Sequence, residues 1–538
     1  MPGRLSMFDD KIKSNSVYSM KRYFISIAVA TIAASLMHAQ SKDDLSGVVT
    51  TDAGAVSGVL NNDRSVVVYK GIPYAAAPVG ALRWKAPQSV KPWTETRKCD
   101  HFGASPIQGK PVPFMMYTAE FLIPAEPISE DCLYLNIWTK TGSAEKKPVI
   151  VWIHGGAFVS GSGSCPIYDG EDIAKKGVVF VTINYRLGVF GFLALDELTK
   201  ESPTHSSGNY AFQDQIAALQ WVKKNIAQFG GDPDRVTIAG QSAGSFSVNA
   251  LAASPVAKGL FQRVIAESGG MFNRDGRILT LDSAEQTGKR IMEKVNAASI
   301  EDMRKKPADE LLKATGMGMM SPVIDGYVLP GPVYDIYDNV QQNDVAVLTG
   351  WNRDEGFPQG AAASPEIYKS NAVKQYNELA GEFLKAYPGN TPDEIKRSQL
   401  EWSRNNLFAW HAYTWARLET EKGKNKVFLY QFNRVPPQDE QYGAFHSAEI
   451  SYALHTLHMW NRPWTTDDRK LEDIMSSYWV NFASSGNPNG QGLPEWKPFD
   501  VRSPSLIQLD YQNIGMKPMP YKAEFDFIDK YQEQIRRK

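Results

Sequence analysis

The sequence predicts an α/β fold: a largely parallel central sheet with helices on both faces and helical excursions over one end. Three observations predict it. The runs 149–153, 178–183 and 427–430 are continuously apolar, β-branched or aromatic, and turn residues bound each of them; such runs suit strands buried on both faces. Between the second and third lies an amphipathic helix, in which Phe212, Ile216, Leu219, Val222, Ile226 and Phe229 are spaced 4, 3, 3, 4 and 3 and share one face. Gly230-Gly231 ends this helix and the strand 236–239 follows at once, so the unit is a strand–helix–strand crossover of the kind that builds parallel sheets.

The composition is that of an ordinary globular protein: 538 residues, 43% hydrophobic, with 58 Lys+Arg against 59 Asp+Glu. That charge balance gives no electrostatic case for nucleic-acid binding. From Met20 the chain reads Met-Lys-Arg, then an apolar run 23–37, then His38-Ala39-Gln40, the pattern of a secretory signal with cleavage expected after Ala39. The run is shorter than the ~20 residues a membrane span requires, so no stable span is expected once the signal is removed. Met20 is a candidate start, with the polar stretch 1–19 ahead of it. No Pro/Ser/Gly-rich linker divides the remainder, so residues 1–39 are expected to be extension and signal and 40–538 one catalytic domain. The segments 282–314 and 367–418 read mainly helical. The three cysteines, Cys99, Cys132 and Cys165, allow one bridge in an exported chain and leave one over.

The chemistry gathers where strands end. After 236–239 stands Gly240-Gln241-Ser242-Ala243-Gly244, a G-x-S-x-G sequence followed by the helix-compatible stretch 245–252. A serine on a sharp strand-to-helix turn projects its hydroxyl outward, and bulk two positions either side would clash with the strand and helix. Directly after 149–153 comes His154-Gly155-Gly156-Ala157-Phe158, a small-residue loop able to present backbone N–H groups to a developing oxyanion. Its candidate donors are Gly156 and Ala157, together with Ala243 behind the serine.

Serine needs a base, and in this arrangement the chain order is Ser, acid, His. Order leaves His411, His446, His455 and His458; His446 sits in the small-residue loop 443–449, whereas His455 and His458 fall on an expected helix. The strand 345–348 leads into Gly350-Trp351-Asn352-Arg353-Asp354-Glu355-Gly356, where Asp354 and Glu355 both qualify as the acid. Few metal ligands lie near these histidines, and neither a metal nor an organic cofactor is called for.

These segments resemble the type-B carboxylesterases, the group that includes acetylcholinesterase, liver carboxylesterases and bacterial para-nitrobenzyl esterases. The resemblance is carried by Gly71-Ile72-Pro73-Tyr74-Ala75, by Glu130-Asp131-Cys132-Leu133-Tyr134-Leu135-Asn136, by the loop 154–158 and by Asn184-Tyr185-Arg186-Leu187-Gly188. The turn 240–245, the loops 352–356 and 445–449, and Gly486-Asn487-Pro488-Asn489-Gly490 complete it, in family order over roughly residues 45 to 525. It implies an α/β-hydrolase fold and a serine ester hydrolase acting on small to medium carboxylic esters, with Ser242 as nucleophile, Glu355 as acid and His446 as base. It implies that Cys132 is the second cysteine of a short-loop disulfide. The usual partner lies a few residues beyond Cys99, so a Cys99–Cys132 bridge is expected with a shifted partner.

Three departures bear on substrate. Ala157 stands where many relatives have Gly, Gln241 where cholinesterases carry Glu, and no aromatic counterpart of the choline-holding residue follows Lys91-Pro92-Trp93; together they argue against choline esters. Amide or carbamate hydrolysis on the same three residues is the alternative reading. A non-catalytic neuroligin-like binding protein is disfavoured by the intact Ser, Glu, His and glycine loop.

Overall fold

The computed structural model describes residues 47–142, 145–274, 278–316, 318–357 and 364–537; the expected signal segment lies outside them. The chain divides into the units Met1–Val48 and Val49–Lys538, and everything below concerns the second.

Eleven strands form one sheet: β1 (Val59–Leu60), β2 (Val66–Pro73), β3 (Tyr134–Lys140), β4 (Lys147–Ile153), β5 (Val179–Ile183), β6 (Gly231–Gln241), β7 (Arg263–Glu267), β8 (Ala346–Asn352), β9 (Val427–Phe432), β10 (Ser505–Leu509) and β11 (Gly515–Pro518). Their spatial order is β11-β10-β9-β8-β7-β6-β4-β5-β3-β2-β1. The pairings from β5 through β10 are parallel, and those at both margins are antiparallel. This is the largely parallel sheet that the apolar runs predicted, in the α/β-hydrolase arrangement that the resemblance implied.

Why those runs are continuous is visible in β4. Val149, Val151 and Ile153 enter one core, Ile150 and Trp152 the other, because successive side chains of a strand point to opposite faces. Helix α1 (Tyr210–Asn225) and a 3-10 turn, Ile226–Phe229, cover the first face. All six residues of the expected stripe are buried, and Gly230 closes the turn at φ 79°, which glycine adopts without steric cost. Helix α2 (Ala243–Ala253) packs on the same side, while α6 (Thr466–Ser485) lies against the second core.

The helical excursions are more broken than the sequence suggests. Region 282–314 becomes α3 (Leu281–Lys294) and two short helices. Region 367–418 contains Pro365–Tyr376, α4 (Pro392–Arg404) and α5 (Trp410–Lys422), with a wide turn, Asn405–Ala409, between the last two. His455 and His458 do not share a helix. His455 has φ 60°, a left-handed turn beyond Ile450–Ala453, and His458 falls in the 3-10 turn Leu457–Met459. Both instead bind acids, His455 with Asp473 at 2.9 Å and His458 with Asp172 at 3.5 Å.

The expected Cys99–Cys132 bridge is not formed: all three cysteines are buried free thiols. Cys99 is fixed in a ladder, its N–H donating to the Ser57 carbonyl and its own carbonyl accepting from the Lys70 N–H, both at 2.8 Å. Burial pushes its thiol up to about 11. Cys132 sits elsewhere in the core, beside the Arg186–Asp214 pair and Tyr74, and burial pushes it well up too. Among the described residues no helix is long and apolar enough to cross a membrane.

Candidate active site

Register brings the C-terminal ends of the central strands level. Gly240 of β6 pairs with Ile153 of β4, and Gln241 pairs with Glu267 of β7, which pairs in turn with Gly350 of β8. Open parallel sheets bind their ligands at this edge.

Ser242 occupies the turn between β6 and α2 with φ 57° and ψ −122°, a conformation costly for a residue with a β-carbon. The surroundings hold it there: its N–H donates to the Glu267 carbonyl and its carbonyl accepts from the Phe246 N–H, both at 2.9 Å. The flanking glycines are steric necessities. A β-carbon on Gly240 would stand 2.7 Å from the Ile153 carbonyl oxygen, and one on Gly244 would overlap that same oxygen.

The loop after β4 passes beside this turn. A β-carbon built on Gly155 would lie 3.2 Å from Ser242 Cβ. Gly156, Ala157 and Phe158 have φ of 106°, 55° and 60°, a left-handed run that turns successive peptide groups to one side. Among the described residues, the N–H groups of Gly156 and Ala157 donate to no protein acceptor. Ala243 opens α2, whose first-turn N–H groups have no acceptor within the helix. The site thus has free donors on both sides of Ser242, and the positive end of the α2 dipole adds to them.

Of the Asp354–Glu355 pair, Glu355 is the one that reaches a histidine. Its Oε2 lies 2.8 Å from His446 Nδ1 and its Oε1 accepts from the Asn352 N–H at 2.9 Å. Asp354 is exposed, pairs with Arg353 at 2.7 Å and accepts from the Ala444 N–H. Burial pushes the Glu355 carboxyl up to about 8, partly offset by the Asn352 N–H. A carboxylate that desolvated gains strongly from an imidazolium beside it. The His446 ring stacks on Phe408, centroids 4.4 Å apart, and meets Phe357 edge-on at 5.6 Å. The Tyr117 hydroxyl donates to the His446 carbonyl at 3.1 Å. Gln241, adjacent to Ser242, brings its Nε2 within 3.3 Å of both ring nitrogens. His411, by contrast, is buried on α5, its Nδ1 accepting from the Phe272 N–H.

Two more buried carboxyls lie behind these groups. Asn352 Nδ2 donates to Glu449 and to the Phe445 carbonyl, and Trp479 Nε1 donates to Glu267 at 2.7 Å. Burial, then mutual repulsion among the acids, raises Glu449 to about 7 and Glu267 well above the carboxylate range. Glu449 stands in a segment that carried the resemblance, whereas Glu267 left no mark in the sequence pattern.

The sequence profile of the carboxylesterase family matches residues 45–528. The chain belongs to the carboxylesterase family. This carboxylesterase is 33% identical over 487 residues to fumonisin B1 esterase of Sphingopyxis macrogoltabida, covering 86% of each chain. It is 33% identical over 488 residues to para-nitrobenzyl esterase of Bacillus subtilis (strain 168), covering 86% of this chain and 94% of that one. Among solved structures it resembles a thermophilic pNB esterase, with TM-score 0.78, 31% identity, and coverage of 90% of this chain and 100% of the other. It is a serine carboxylic ester hydrolase.

Proposed function

We propose that this carboxylesterase works through an acyl-enzyme on Ser242, with His446 as base and Glu355 as acid. The observation that carries the reading is the His446 ring, bonded to buried Glu355 at 2.8 Å and lying against Gln241, the neighbour of Ser242. Ser242 Oγ attacks the ester carbonyl while His446 Nε2 takes its proton. Glu355 accepts the Nδ1–H and stabilises the imidazolium. Negative charge on the former carbonyl oxygen is met by the N–H groups of Gly156, Ala157 and Ala243. As the C–O bond breaks, His446 returns the proton to the departing alcohol. Water, deprotonated by the same ring, then attacks the acyl-enzyme, releasing the acid and restoring Ser242.

Small to medium carboxylic esters fit this reading, in line with the fumonisin and para-nitrobenzyl esters named for its relatives. Ala157 is exposed and its methyl narrows the space before the candidate donors, which favours slender alcohol groups. We further propose export through the segment ending at Ala39, supported by the Met20-Lys21-Arg22 start and apolar run, with residues 40–538 as one catalytic domain.

The test is stoichiometric labelling with an organophosphonate, followed by peptide mapping and p-nitrophenyl ester assays. One label per chain on Ser242, and loss of at least about 10⁴-fold in kcat for Ser242→Ala, are the expected results. Turnover surviving in Ser242→Ala would end the proposal.

A further inference from the structure

The two peptide groups that face a developing oxyanion are held from behind. The Gly155 carbonyl accepts from His154 Nδ1–H at 2.8 Å. That ring is buried, stacked on Tyr185 with centroids 4.3 Å apart, and the Tyr185 hydroxyl donates to the His154 carbonyl at 2.6 Å. In a trans peptide the carbonyl and the following N–H point in opposite directions, so pinning Gly155 O toward His154 turns the Gly156 N–H the other way. The Gly156 carbonyl accepts from the Val159 and Ser160 N–H groups, both at 3.0 Å, and from the Ser160 hydroxyl at 3.2 Å. The Ala157 N–H is oriented by the same logic.

Behind the His154–Gly155 contact lies Gly161. Its φ of 112° belongs to a region that favours glycine. A β-carbon there would stand 2.6 Å from the Gly155 oxygen and 2.9 Å from His154 Cε1. One side chain grips this residue at both ends. Gln108 Nε2 donates to the Gly161 carbonyl and the Gly161 N–H donates to Gln108 Oε1, each at 2.8 Å. The remaining amide hydrogen goes to the Pro106 carbonyl at 3.0 Å. Gln108 is buried, comes from the segment between Cys99 and Cys132, and is 53 residues from Gly161 in sequence. No disulfide braces that segment, and this two-point bond ties it directly to the loop.

We propose that Gln108 is a positioning residue for ester hydrolysis: its amide clamps Gly161 against the His154–Gly155 contact and so keeps the Gly156 and Ala157 N–H groups aimed at the oxyanion. The proposal rests on the Ser242 reading. Gln108 is buried and its amide is taken up by Gly161 and Pro106, so its loss acts through the loop and loosens donors whose bonds strengthen only in the transition state. The ester in its ground state is bound as before.

The experiment compares Gln108→Met, which keeps length and apolar packing but removes both bonds, with wild type and Ser242→Ala. Gln108→Met is expected to lose about 10- to 100-fold in kcat, below the 10²–10³ of a deleted donor, with KM within about twofold. Affinity for a trifluoromethyl ketone, which adds the serine oxygen to its carbonyl and presents the resulting oxyanion, should fall in parallel with kcat/KM. Affinity for the product alcohol should not. Should Gln108→Met melt below the assay temperature, Gln108→Glu, which keeps the acceptor for the Gly161 N–H and loses the donor, is read in the same way. Wild-type kcat in the folded variants, or a rise in KM at unchanged kcat and ketone affinity, overturns the clamp. Hydrolysis surviving in Ser242→Ala overturns the underlying site instead, so the two failures are distinguishable.

Discussion

Gln241→Glu should move the acid limb of the pH–rate profile upward by at least one pH unit. Gln241 Nε2 is 3.3 Å from both nitrogens of His446. Ring nitrogens are about 2.2 Å apart, so an in-plane atom equidistant from both would fall roughly 2.4 Å from Cε1, far inside any carbon contact distance. The amide nitrogen therefore stands over the ring face. There it occupies the in-plane direction of neither nitrogen, and Nδ1–H goes to Glu355. A carboxylate in its place faces the imidazolium with opposite charge. At 3.3 Å a unit pair is worth about 5 kcal/mol at an effective dielectric of 20 and about 1 kcal/mol in bulk water. At 1.36 kcal/mol for each tenfold change in proton affinity, the midpoint of the ring rises by about 1 to 4 pH units.

The sign follows from which form the charge favours. A carboxylate stabilises protonated His446, so the neutral base appears only at higher pH, and kcat/KM near pH 6 falls about tenfold for every pH unit that the midpoint rises. The other groups facing this histidine, Glu355 and Tyr117, and the deeper Glu449, Glu267 and Arg404, are unchanged between the variants. The assay is kcat/KM for a p-nitrophenyl ester from pH 5 to 9 in wild type, Gln241→Glu and neutral Gln241→Met. A midpoint unmoved in folded Gln241→Glu, or moved equally in Gln241→Met, refutes the reasoning.

Three further outcomes can be measured. Gly244→Ala drives a methyl into the Ile153 carbonyl and should cost about 1–3 kcal/mol in denaturant unfolding, as overpacking does, with activity lost beyond the stability change; a wild-type midpoint contradicts the steric account. Asp214→Asn leaves buried Arg186, now held by bonds of 2.7 and 2.8 Å, without its counter-charge, for an expected loss of about 3–5 kcal/mol read from urea midpoints. Burial pushes His154 down to about 4, against ~6.5 when unfolded. The unfolded chain therefore binds the extra proton between these values, and stability falls by roughly 3 kcal/mol as pH drops through that window. His154→Asn, which keeps a donor near the Nδ1 position, should remove that share of the acid slope, and matching slopes in the two proteins would count against it.

The central strands were legible because a doubly buried strand favours apolar, β-branched or aromatic residues at every position, and 149–153, 178–183 and 427–430 supply them. Helix α1 was legible because six residues at helical spacing all reach the core. Legibility ended where local pattern stopped controlling geometry. His455 and His458 are three apart, as on a helix, yet a left-handed residue at 455 breaks the period. Cys99 and Cys132 matched a shifted family pattern, but Cys99 is tied into the Ser57–Lys70 ladder and Cys132 into the Arg186 pocket. Between Asp354 and Glu355 the residues alone gave no choice. What separates them in space is that β8 ends at Asn352, whose N–H holds Glu355 inward, while Asp354 turns to Arg353 and the Ala444 N–H.

The candidate site shows the same division at finer scale. Ser242, Gly240 and Gly244 were readable because a strained turn restricts residue type at adjacent positions, and that restriction is printed in five consecutive letters. The contacts that hold the machinery in register restrict only one residue at each end and join distant parts of the chain: Gln108 to Gly161 across 53 residues, Tyr117 to His446 across 329, Gln241 to His446 across 205. A side-chain amide bonded to a backbone N–H and carbonyl leaves no periodicity, and its partner can be any residue with a free peptide group. Such contacts nevertheless restrain the orientation of the peptide groups and rings that they join, and catalysis is sensitive to displacements of about 1 Å. In this carboxylesterase the candidate residues can thus be read from the sequence, while the bonds around them run from single side chains to distant parts of the chain and are seen only in three dimensions.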